Sequence, residues 1–350
     1  MAGVHIASLS LVSDKGQAVN DRKSEPLAQS SAPAIDVLSD VLRAVRLSGA
    51  VFFDVQASCP WVAESPDSAT VAPGLMPGAG HVIPFHVLTR GQCHAGLLDG
   101  DAVLLEAGDV VVFPHGDAHV LASAPGMRAP VDTESYRRAG YTRLPVKLSP
   151  GGGGEPLAHL ICGFLGCDAR PFNPLLEALP PMLVVRAQAP GSRWLETFVE
   201  VALAESRAAS PGGETVLARL SELLFIEVVR RHVQSLPPGG SGWLAAQQDP
   251  AISRALGLLH AEPAAPWTLE ALAQRCGLSR SVLAERFTQV VGQPPMQYLT
   301  RWRMQLAAGM LAAGGHKIAA VARQVGYDSE AAFSRAFKKH VGKSPSQWRG

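Results

Sequence analysis

The apolar residues of the chain follow two different patterns along its length. From about Ile35 to Val185, short apolar runs such as 50–53 and 110–113 are separated by glycine, proline and aspartate. Runs of this length that are bounded by turn residues are typical of the strands of a sandwich or barrel. We therefore predict a sheet domain over residues 33–190, preceded by a polar and unpatterned leader at 1–32.

Helical spacing replaces this pattern after residue 190. Apolar residues recur at three- and four-residue steps in 194–202 and again in 214–234, which predicts two helices that form a linker over 191–235. The second helix has apolar residues on more than one face, among them Leu223, so it either forms a dimer contact or packs only on its own domain. Proline and glycine residues then predict a flexible linker over 236–249.

Two helix-turn-helix patterns follow one another in the last hundred residues. In the first (268–291), Ala273 is small where two helices must touch, and Gly277 supplies the turn. The second (317–341) repeats this spacing, with its turn at Gly326. One such pattern is a weak signal, because helical hairpins with a glycine turn are common. Two in tandem predict a domain that binds duplex DNA.

Charge is divided unevenly along the chain. Residues 250–350 contain 13 Lys/Arg and 5 Asp/Glu, whereas the remaining residues contain 18 and 25. A basic domain joined to an acidic remainder is typical of a nucleic-acid binder with a separate partner module. No apolar run reaches the ~18 residues that span a bilayer, and the N-terminus lacks the pattern of a signal peptide. We therefore expect a cytoplasmic protein without a membrane partner.

The segment from Phe333 to Arg349, Phe-Ser-Arg-Ala-Phe-Lys-Lys-His-Val-Gly-Lys-Ser-Pro-Ser-Gln-Trp-Arg, closely resembles the signature of AraC/XylS-type transcription regulators. The resemblance covers about residues 250–350. It implies a seven-helix domain with two helix-turn-helix units, which binds promoter DNA and recruits or repositions RNA polymerase, and it favours activation. Ala332 stands where the family often has an aromatic residue, so the second unit is expected to pack or read DNA more weakly than the first.

The helix between the two units is predicted over 296–313. It is roughly 27 Å long at about 1.5 Å per residue. With its flanking turns, this length can hold two reading helices roughly 34 Å apart, which is one turn of B-DNA. In the first reading helix, we expect a buried stripe that consists of Val282, Leu283, Phe287 and Val290.

The outward faces of the two reading helices hold the candidate DNA contacts. Arginine, glutamine and serine can hydrogen-bond base edges, whereas contacts to phosphates position the protein without carrying sequence information. For any one of these residues, the alternative is a solvated side chain. The base-reading candidates are Arg280, Ser281, Ala284, Glu285, Gln289, Glu330, Ala331, Ser334 and Arg335. The phosphate candidates are Arg301, Arg303, Lys338 and Lys339.

Residues 108–119 fit the second cupin motif, in which a glycine, a proline, a second glycine and His119 recur at fixed spacing. Residues 85–91 match the first motif only in part, because its usual His-x-His followed by Glu is absent. Residues 108–119, together with 162–164 and 174–181, resemble the cupin-type sensor of one branch of AraC/XylS regulators. The predicted fold class is therefore α+β with two domains. An N-terminal cupin-like β-barrel (a double-stranded β-helix) with a helical linker precedes a C-terminal all-α tandem helix-turn-helix domain.

Strand alternation directs His86 and His119 into the predicted barrel. Neutral imidazoles with a thiolate of Cys93 or Cys162 would make a zinc site. The spacing is not a known ligand motif, however, and buried histidines satisfied by hydrogen bonds are commoner. These four residues are the candidates for binding a metal or an effector. Cys162 and Cys167 are either a redox pair, which needs Cα atoms within about 7 Å, or two buried structural cysteines.

These observations predict a one-component transcription regulator rather than an enzyme. Its cupin-like domain would sense a small molecule, a metal or an oxidant, and its C-terminal domain would bind promoter DNA. The alternative is a cupin-type metal-dependent enzyme fused to a DNA-binding domain, although the partial first motif supplies few ligands for an open iron site. The expected partners are double-stranded promoter DNA, RNA polymerase, a small-molecule effector and a second copy of the chain.

Overall fold

The computed structural model describes residues 36–45, 47–131, 133, 145–154, 157–167, 171–187, 193–208, 211–237 and 239–349. The predicted leader at 1–32 lies outside these residues. None of the described helices combines the length and the apolar character that crossing a membrane would need.

The described N-terminal residues fold mainly into strands. These are β1 (Ser48–Ala57), β2 (Val62–Ser65), β3 (His81–Arg90), β4 (Gln92–Leu97), β5 (Val103–Glu106), β6 (Val110–Val112), β7 (His119–Ala122), β8 (Val146–Leu148), β9 (Ala158–Cys167) and β10 (Leu183–Val185). One sheet has the order β10-β6-β3-β9-β1-β8, and the other has the order β2-β7-β4-β5. Both sheets contribute to one apolar interior, which confirms the predicted cupin-like sheet domain.

Strand alternation decides which residues enter this interior. On β1, Phe53 and Val55 pack inside, whereas Phe52 belongs to a different hydrophobic cluster. On β9, Cys162 packs inside, and its neighbour Ile161 belongs to that other cluster. Successive side chains of a strand point to opposite faces of its sheet. The larger sheet therefore has a second, outer apolar face that must also be covered.

A long helix covers this outer face. The described N-terminal helices are α1 (Val37–Ala44), α2 (Ser68–Leu75), α3 (Pro174–Ala178), α4 (Arg193–Ala208) and α5 (Gly213–Ser235). Leu224 and Val228 of α5 are buried in the same cluster as Phe85 and Ile161 of the larger sheet. Helices α4 and α5, predicted as a linker, are therefore part of the N-terminal domain. Leu223 of α5 remains 59% exposed.

The segment predicted as a flexible linker, 236–249, is largely packed against the C-terminal helices. It contains a short 3-10 helix (Ala245–Gln248), and Trp243 is buried. The Nε1–H of Trp243 donates a hydrogen bond to the Tyr298 hydroxyl over 2.9 Å. The prediction of flexibility is therefore wrong for 243–248. The proline and glycine residues that suggested flexibility lie before residue 243, and the apolar stretch that follows them is buried against the C-terminal helices.

Seven described helices form the C-terminal region, as the family resemblance implied. They are α6 (Pro250–Ala261), α7 (Leu269–Cys276), α8 (Arg280–Val291), α9 (Pro295–Ala312), α10 (Ile318–Gln324), α11 (Glu330–Val341) and α12 (Pro345–Arg349). The side chains of Thr268, Ser279 and Ser329 accept backbone N–H bonds at the N-termini of α7, α8 and α11. Gly277 ends α7 with a φ of 71°, a left-handed conformation that glycine adopts without a steric penalty.

The two helix-turn-helix units belong to different hydrophobic cores. Phe287 of the first unit joins the cluster that also contains the outer face of the cupin sheet. Phe333 of the second unit belongs to a separate cluster. Helix α9 supplies both: its first half gives Tyr298, Leu299 and Trp302 to the shared core, and its second half gives Met304, Ala307, Ala308 and Leu311 to the other.

Val282 departs from the buried stripe expected on α8. Its side chain is 46% exposed, whereas Leu283 and Phe287 are fully buried. Successive residues of a helix are rotated by about 100°. The face that buries Leu283 and Phe287 therefore turns Val282 toward solvent beside the candidate base-reading residues.

The two cores predict different responses to large-to-small substitutions. We expect F333A and F287A each to cost about 3–5 kcal/mol, since both remove a fully buried ring. F333A should lower amide protection only in α10, α11 and the second half of α9. F287A should instead lower amide protection in the first unit and in the cupin helices that share its core. Hydrogen exchange measured by mass spectrometry tests this, and loss of protection in β3 and β9 of F333A would contradict the separation.

Candidate DNA interface and inner cavity

The first reading helix, α8, presents most of its candidate residues to solvent. The Arg280 guanidinium forms an ion pair with Glu270 of α7, at 2.8 Å between Nη1 and Oε1, and both side chains are exposed. The pair therefore leaves Arg280 accessible at the N-terminal end of the helix. Of the candidates on α8, Arg280, Ser281, Glu285 and Gln289 are exposed, and Ala284 is half-buried.

The second reading helix, α11, has a similar outward face. Its candidates Glu330, Ala331 and Arg335 are exposed, and Ser334 is half-buried. Two of the phosphate candidates, Lys338 and Lys339, are exposed in its last turn. Cations at this end of a helix also interact favourably with its dipole, so the lysines stabilise α11 as well as supplying positive charge.

A cavity of about 400 Å³ lies inside the cupin domain, lined by strands of both sheets. Its wall is largely apolar and includes the rings of Phe53, Trp61 and Phe164. A volume in this range, with few polar groups on an apolar wall, is typical of small-molecule sites. The polar and sulfur-bearing side chains on the wall are Glu64, Ser65, His86, Ser149 and Cys162.

An arginine neutralises Glu64, whose carboxylate lies on this wall. Glu64 binds Arg128 through both oxygens, with N–O distances of 2.8 and 2.9 Å. The Glu64 side chain is only 6% exposed, and its hydrogen bonds to Arg128 lower its pKa. Ala129 and Pro130, which follow Arg128, also line the cavity. The ion pair therefore holds this loop against the cavity.

His86 and His119 form a buried hydrogen-bonded pair. The Nδ1 of His119 lies 2.8 Å from the Asp117 carbonyl, which can only accept, so this nitrogen carries the proton. The Nε2 of a neutral His119 then accepts from the Nε2–H of His86, at 2.9 Å. Burial lowers the pKa of His119 to about 4, and burial together with His119 lowers that of His86 well below 6.5. Both imidazoles are therefore neutral at pH 7.

The two candidate cysteines lie in the same interior but do not complete a metal site. Cys162 is opposite His86 in the β3–β9 register, and Cys93 belongs to the same core. Burial raises the pKa of both thiols, to about 12 for Cys93, so both are protonated in the absence of a metal ion. Among the described residues, no group of three or more His, Cys, Asp or Glu could hold a metal ion. The residues therefore do not fit the zinc site considered above.

Comparisons with known proteins agree with both halves of this description. A cupin family model matches residues 36–234, and a helix-turn-helix domain model matches residues 272–350. An AraC-like transcription regulator of Streptomyces lividans is 36% identical over 277 residues, which cover 77% of this chain and 88% of the relative. The chain belongs to the AraC-type transcription regulators. It is thus a DNA-binding regulator with a cupin domain, and the cupin match includes α4 and α5.

Other relatives of this regulator carry related names. The HTH-type transcriptional regulator AlkR of Acinetobacter baylyi is 32% identical, covering 75% of this chain and 86% of the relative. The RCS-specific HTH-type transcriptional activator RclR of Escherichia coli is 28% identical, covering 78% and 86%. Among solved structures, an AraC-type regulator of Chromobacterium violaceum is 26% identical over 30% of this chain and 93% of that chain, with a TM-score of 0.29.

The regulator's cupin domain contacts α9 directly. The backbone N–H of Phe172 donates to Oε1 of Gln305 over 3.0 Å, and Gln305 is only 2% exposed. The Phe172 ring meets Tyr298 edge to face, with 5.7 Å between centroids. The Arg301 guanidinium lies 4.0 Å from the Phe172 ring centroid and binds Glu177 at 2.7 Å. The segment after β9 is thus fastened to the helix that joins the two DNA-reading units.

These contacts change the interpretation of two phosphate candidates. Arg301 is engaged by the cupin domain, as just described. The guanidinium of Arg303 donates to the carbonyl oxygens of Pro263 and Ala265, over 2.6 and 2.8 Å. Both guanidinium groups are therefore hydrogen-bonded within the protein, which competes with their predicted phosphate contacts. A count of basic residues cannot distinguish the covered faces of α9 from an open one.

The structure also decides the relation between Cys162 and Cys167 and reveals residues that the sequence did not indicate. The two cysteines lie five residues apart on β9, which is roughly 16 Å along an extended strand. They also belong to different cores, so they do not form a redox pair. Gln305 and Glu177 each make a contact across the domain boundary, Gln305 with Phe172 and Glu177 with Arg301. Gln305 lies in no motif, and the resemblance that includes 174–181 indicated no such contact for Glu177. Only the polar Gln305 within an apolar helix could have suggested a buried partner.

The neutral histidines predict that acid weakens the fold. Because the folded-state pKa of His119 is about 4, below the 6.5 of the unfolded chain, its contribution is complete above pH 6.5. It is lost as the pH falls from 6.5 toward 4, with a slope of about 1.4 kcal/mol per unit. We expect H119Q to flatten this slope by about one proton, with exposed His316→Gln as the control. Urea unfolding at about pH 7, 6 and 5 tests this, and an unchanged slope in H119Q would contradict the neutral pair.

Proposed function

We propose that this regulator binds promoter DNA with both helix-turn-helix units, and that a small molecule in the cupin cavity changes its DNA affinity through α9. The observation that carries the proposal is the double role of β9. Cys162 and Phe164 line the cavity, whereas Ile161 and Leu165, which flank this pair on β9, belong to the core that contains Tyr298 of α9. A shift of one strand face therefore displaces the other.

The chain leaving β9 supplies a second connection. Five residues after the end of this strand, Phe172 donates its backbone N–H to Gln305 of α9. A buried hydrogen bond of this kind is costly to leave unpaired, so a displaced Phe172 would have to move α9 with it or lose the bond. A ligand can act in this way only if it binds the DNA-competent and incompetent arrangements with different affinity.

On the DNA side, we propose distinct roles for the exposed residues. Arg280 and Arg335 would hydrogen-bond guanine in two major grooves, and Gln289 and Glu285 would bind adenine and cytosine edges. Lys338 and Lys339 would bind phosphates, which increases affinity without adding sequence preference. The smaller candidates Ser281, Ala284, Glu330, Ala331 and Ser334 would complete the two reading surfaces.

The cavity favours a neutral and mainly apolar effector. Its wall is rich in aromatic and aliphatic groups, and Glu64, the one carboxylate among the described lining residues, is already paired with Arg128. An oxidant is less well matched, because a thiol reacts as the thiolate and burial raises the pKa of Cys93 and Cys162. His86 can orient a polar end of such a ligand, because its Nδ1 is buried without a hydrogen-bond partner among the described residues.

The partners follow from the same features. We propose that DNA binding positions RNA polymerase and activates transcription, in line with one relative's name as an activator. The relatives described above are named as transcription regulators, which favours regulation over the cupin enzyme considered from the sequence.

A partly exposed apolar stripe on α5 would join two copies of the chain; it consists of Val216, Leu220 and Leu223. Analytical ultracentrifugation, which measures the mass of the sedimenting species, is the test.

Selection from a random duplex pool tests DNA reading. The full chain is used, because the first unit shares its core with the cupin domain. We expect two motifs about 10 base pairs apart. On the selected site, R335A should lose about 1–3 kcal/mol of binding free energy, and it should lose sequence preference at one base position only. K338Q should weaken binding to all sequences equally and reduce the slope of log affinity against log salt concentration by about one. Arg90→Gln, at an exposed cupin site, is the control. No enrichment would overturn the proposal.

A neutral fluorescent probe tests the cavity. We expect N-phenyl-1-naphthylamine to saturate at one molecule per chain, with enhanced emission, because the cavity is apolar. Ala63→Phe places a ring in the cavity and should abolish this binding, whereas Leu104→Phe, at an exposed position on β5, should not. The probe should also change the Kd for the selected duplex in the wild type but not in A63F. Equal binding to A63F would place the probe elsewhere and contradict the proposed site.

A further inference from the structure

Arg303 lies where the two helix-turn-helix units meet. Its Nε–H and one Nη–H donate to the carbonyls of Pro263 and Ala265, in the loop that leads into the first unit. Its other terminal nitrogen lies 3.5 Å from the carbonyl of Gly326, in the turn of the second unit. The guanidinium therefore bridges backbone groups of both units from the helix that connects them.

The turn of the second unit also touches the same loop directly. Gly326 has a φ of 82°, and a Cβ on it would lie 2.6 Å from the carbonyl oxygen of Ala264. Only glycine permits both the left-handed backbone and this close approach. The Nε1–H of Trp267 donates to the Glu262 carbonyl over 2.9 Å and fastens the loop at its base. The contact is thus between two ordered backbone segments.

We propose that Arg303 is a positioning residue that fixes the distance between the reading helices α8 and α11. The proposal rests on the proposed function, in which both units read DNA. The need for such a tie follows from the separate cores of the two units, which α9 alone would join. Hydrogen bonds from one planar guanidinium to carbonyls of both units restrict the movement of one unit relative to the other. A connecting helix alone, whose end can bend, would restrict this movement less.

The chemistry requires arginine at this position. The guanidinium has donors in a fixed planar fork that can address several acceptors, whereas a lysine ammonium is a compact point charge on a flexible stem. Arg303→Lys keeps the charge but cannot reproduce the same set of bonds. It therefore separates a positioning role from a phosphate contact, which lysine would largely preserve.

The measurement is the dependence of affinity on half-site spacing, with the full chain and the selected duplex. Insertion of one or two base pairs between the motifs should weaken wild-type binding by about tenfold, since a rigid pair fits one spacing. In R303K this penalty should fall below about threefold, because the units can move apart. Circular dichroism and the affinity for the unaltered duplex confirm that the variant is folded.

A matched pair of glycine substitutions tests the same joint from the other side. Gly326→Ala and Gly342→Ala place a side chain at nearly equal φ, 82° and 83°, but only the first meets a neighbour within 4 Å. We expect G326A to relax the spacing penalty as R303K does and G342A to retain it. Both variants are compared at equal helical content, so a general loss of structure in α11 affects them alike.

The outcomes separate this proposal from the proposed function. If R303K and G326A keep the wild-type spacing penalty, the positioning role is overturned while two-unit reading stands. If R303K lowers affinity equally at every spacing, the variant has lost binding strength but kept the fixed spacing, and the positioning role is again overturned. If the wild type itself selects one motif and shows no spacing penalty, two-unit reading fails and the positioning role fails with it.

Discussion

The burial of α9 on nearly all sides is the constraint on which the rest of this regulator depends. Tyr298 and Trp302 complete the core shared by the cupin domain and the first DNA-binding unit, and Met304 and Leu311 complete the core of the second. Polar residues on different faces of the same helix hydrogen-bond neighbouring parts of the protein. Gln305 binds the cupin segment at Phe172, and Arg303 binds the loop of the first unit. Helix α9 therefore contacts the cupin domain and both DNA-binding units.

The cavity and the helix are connected by ordinary strand geometry. One face of β9 lines the cavity, and the other packs into the shared core, so no special relay is needed between them. The interior around the cavity also holds a hydrogen-bonded pair of neutral histidines and a protonated Cys162 thiol. These properties arise from desolvation, because burial disfavours the charged forms of both residue types.

Much of the fold follows from the sequence, because local signals decide it. Gly277 and Gly326 mark both turns, and the caps at Ser279 and Ser329 mark both reading helices. Long-range packing decides what the sequence could not show. The exposure of Val282 and the order of the segment after 242 depend on surfaces contributed by distant residues. The ties of Arg301 and Arg303 equally require knowledge of which faces of α9 are covered.

Hydrogen exchange of the full chain, with and without the selected duplex, tests the central claim most directly. Coupling between two sites is reciprocal, so if a ligand in the cavity changes DNA binding through α9, DNA must change the cupin domain. The account predicts altered protection in β9 and in the segment that contains Phe172, in addition to α8 and α11. Changes confined to residues 250–349 would contradict it, because α9 would then transmit nothing to the cupin domain.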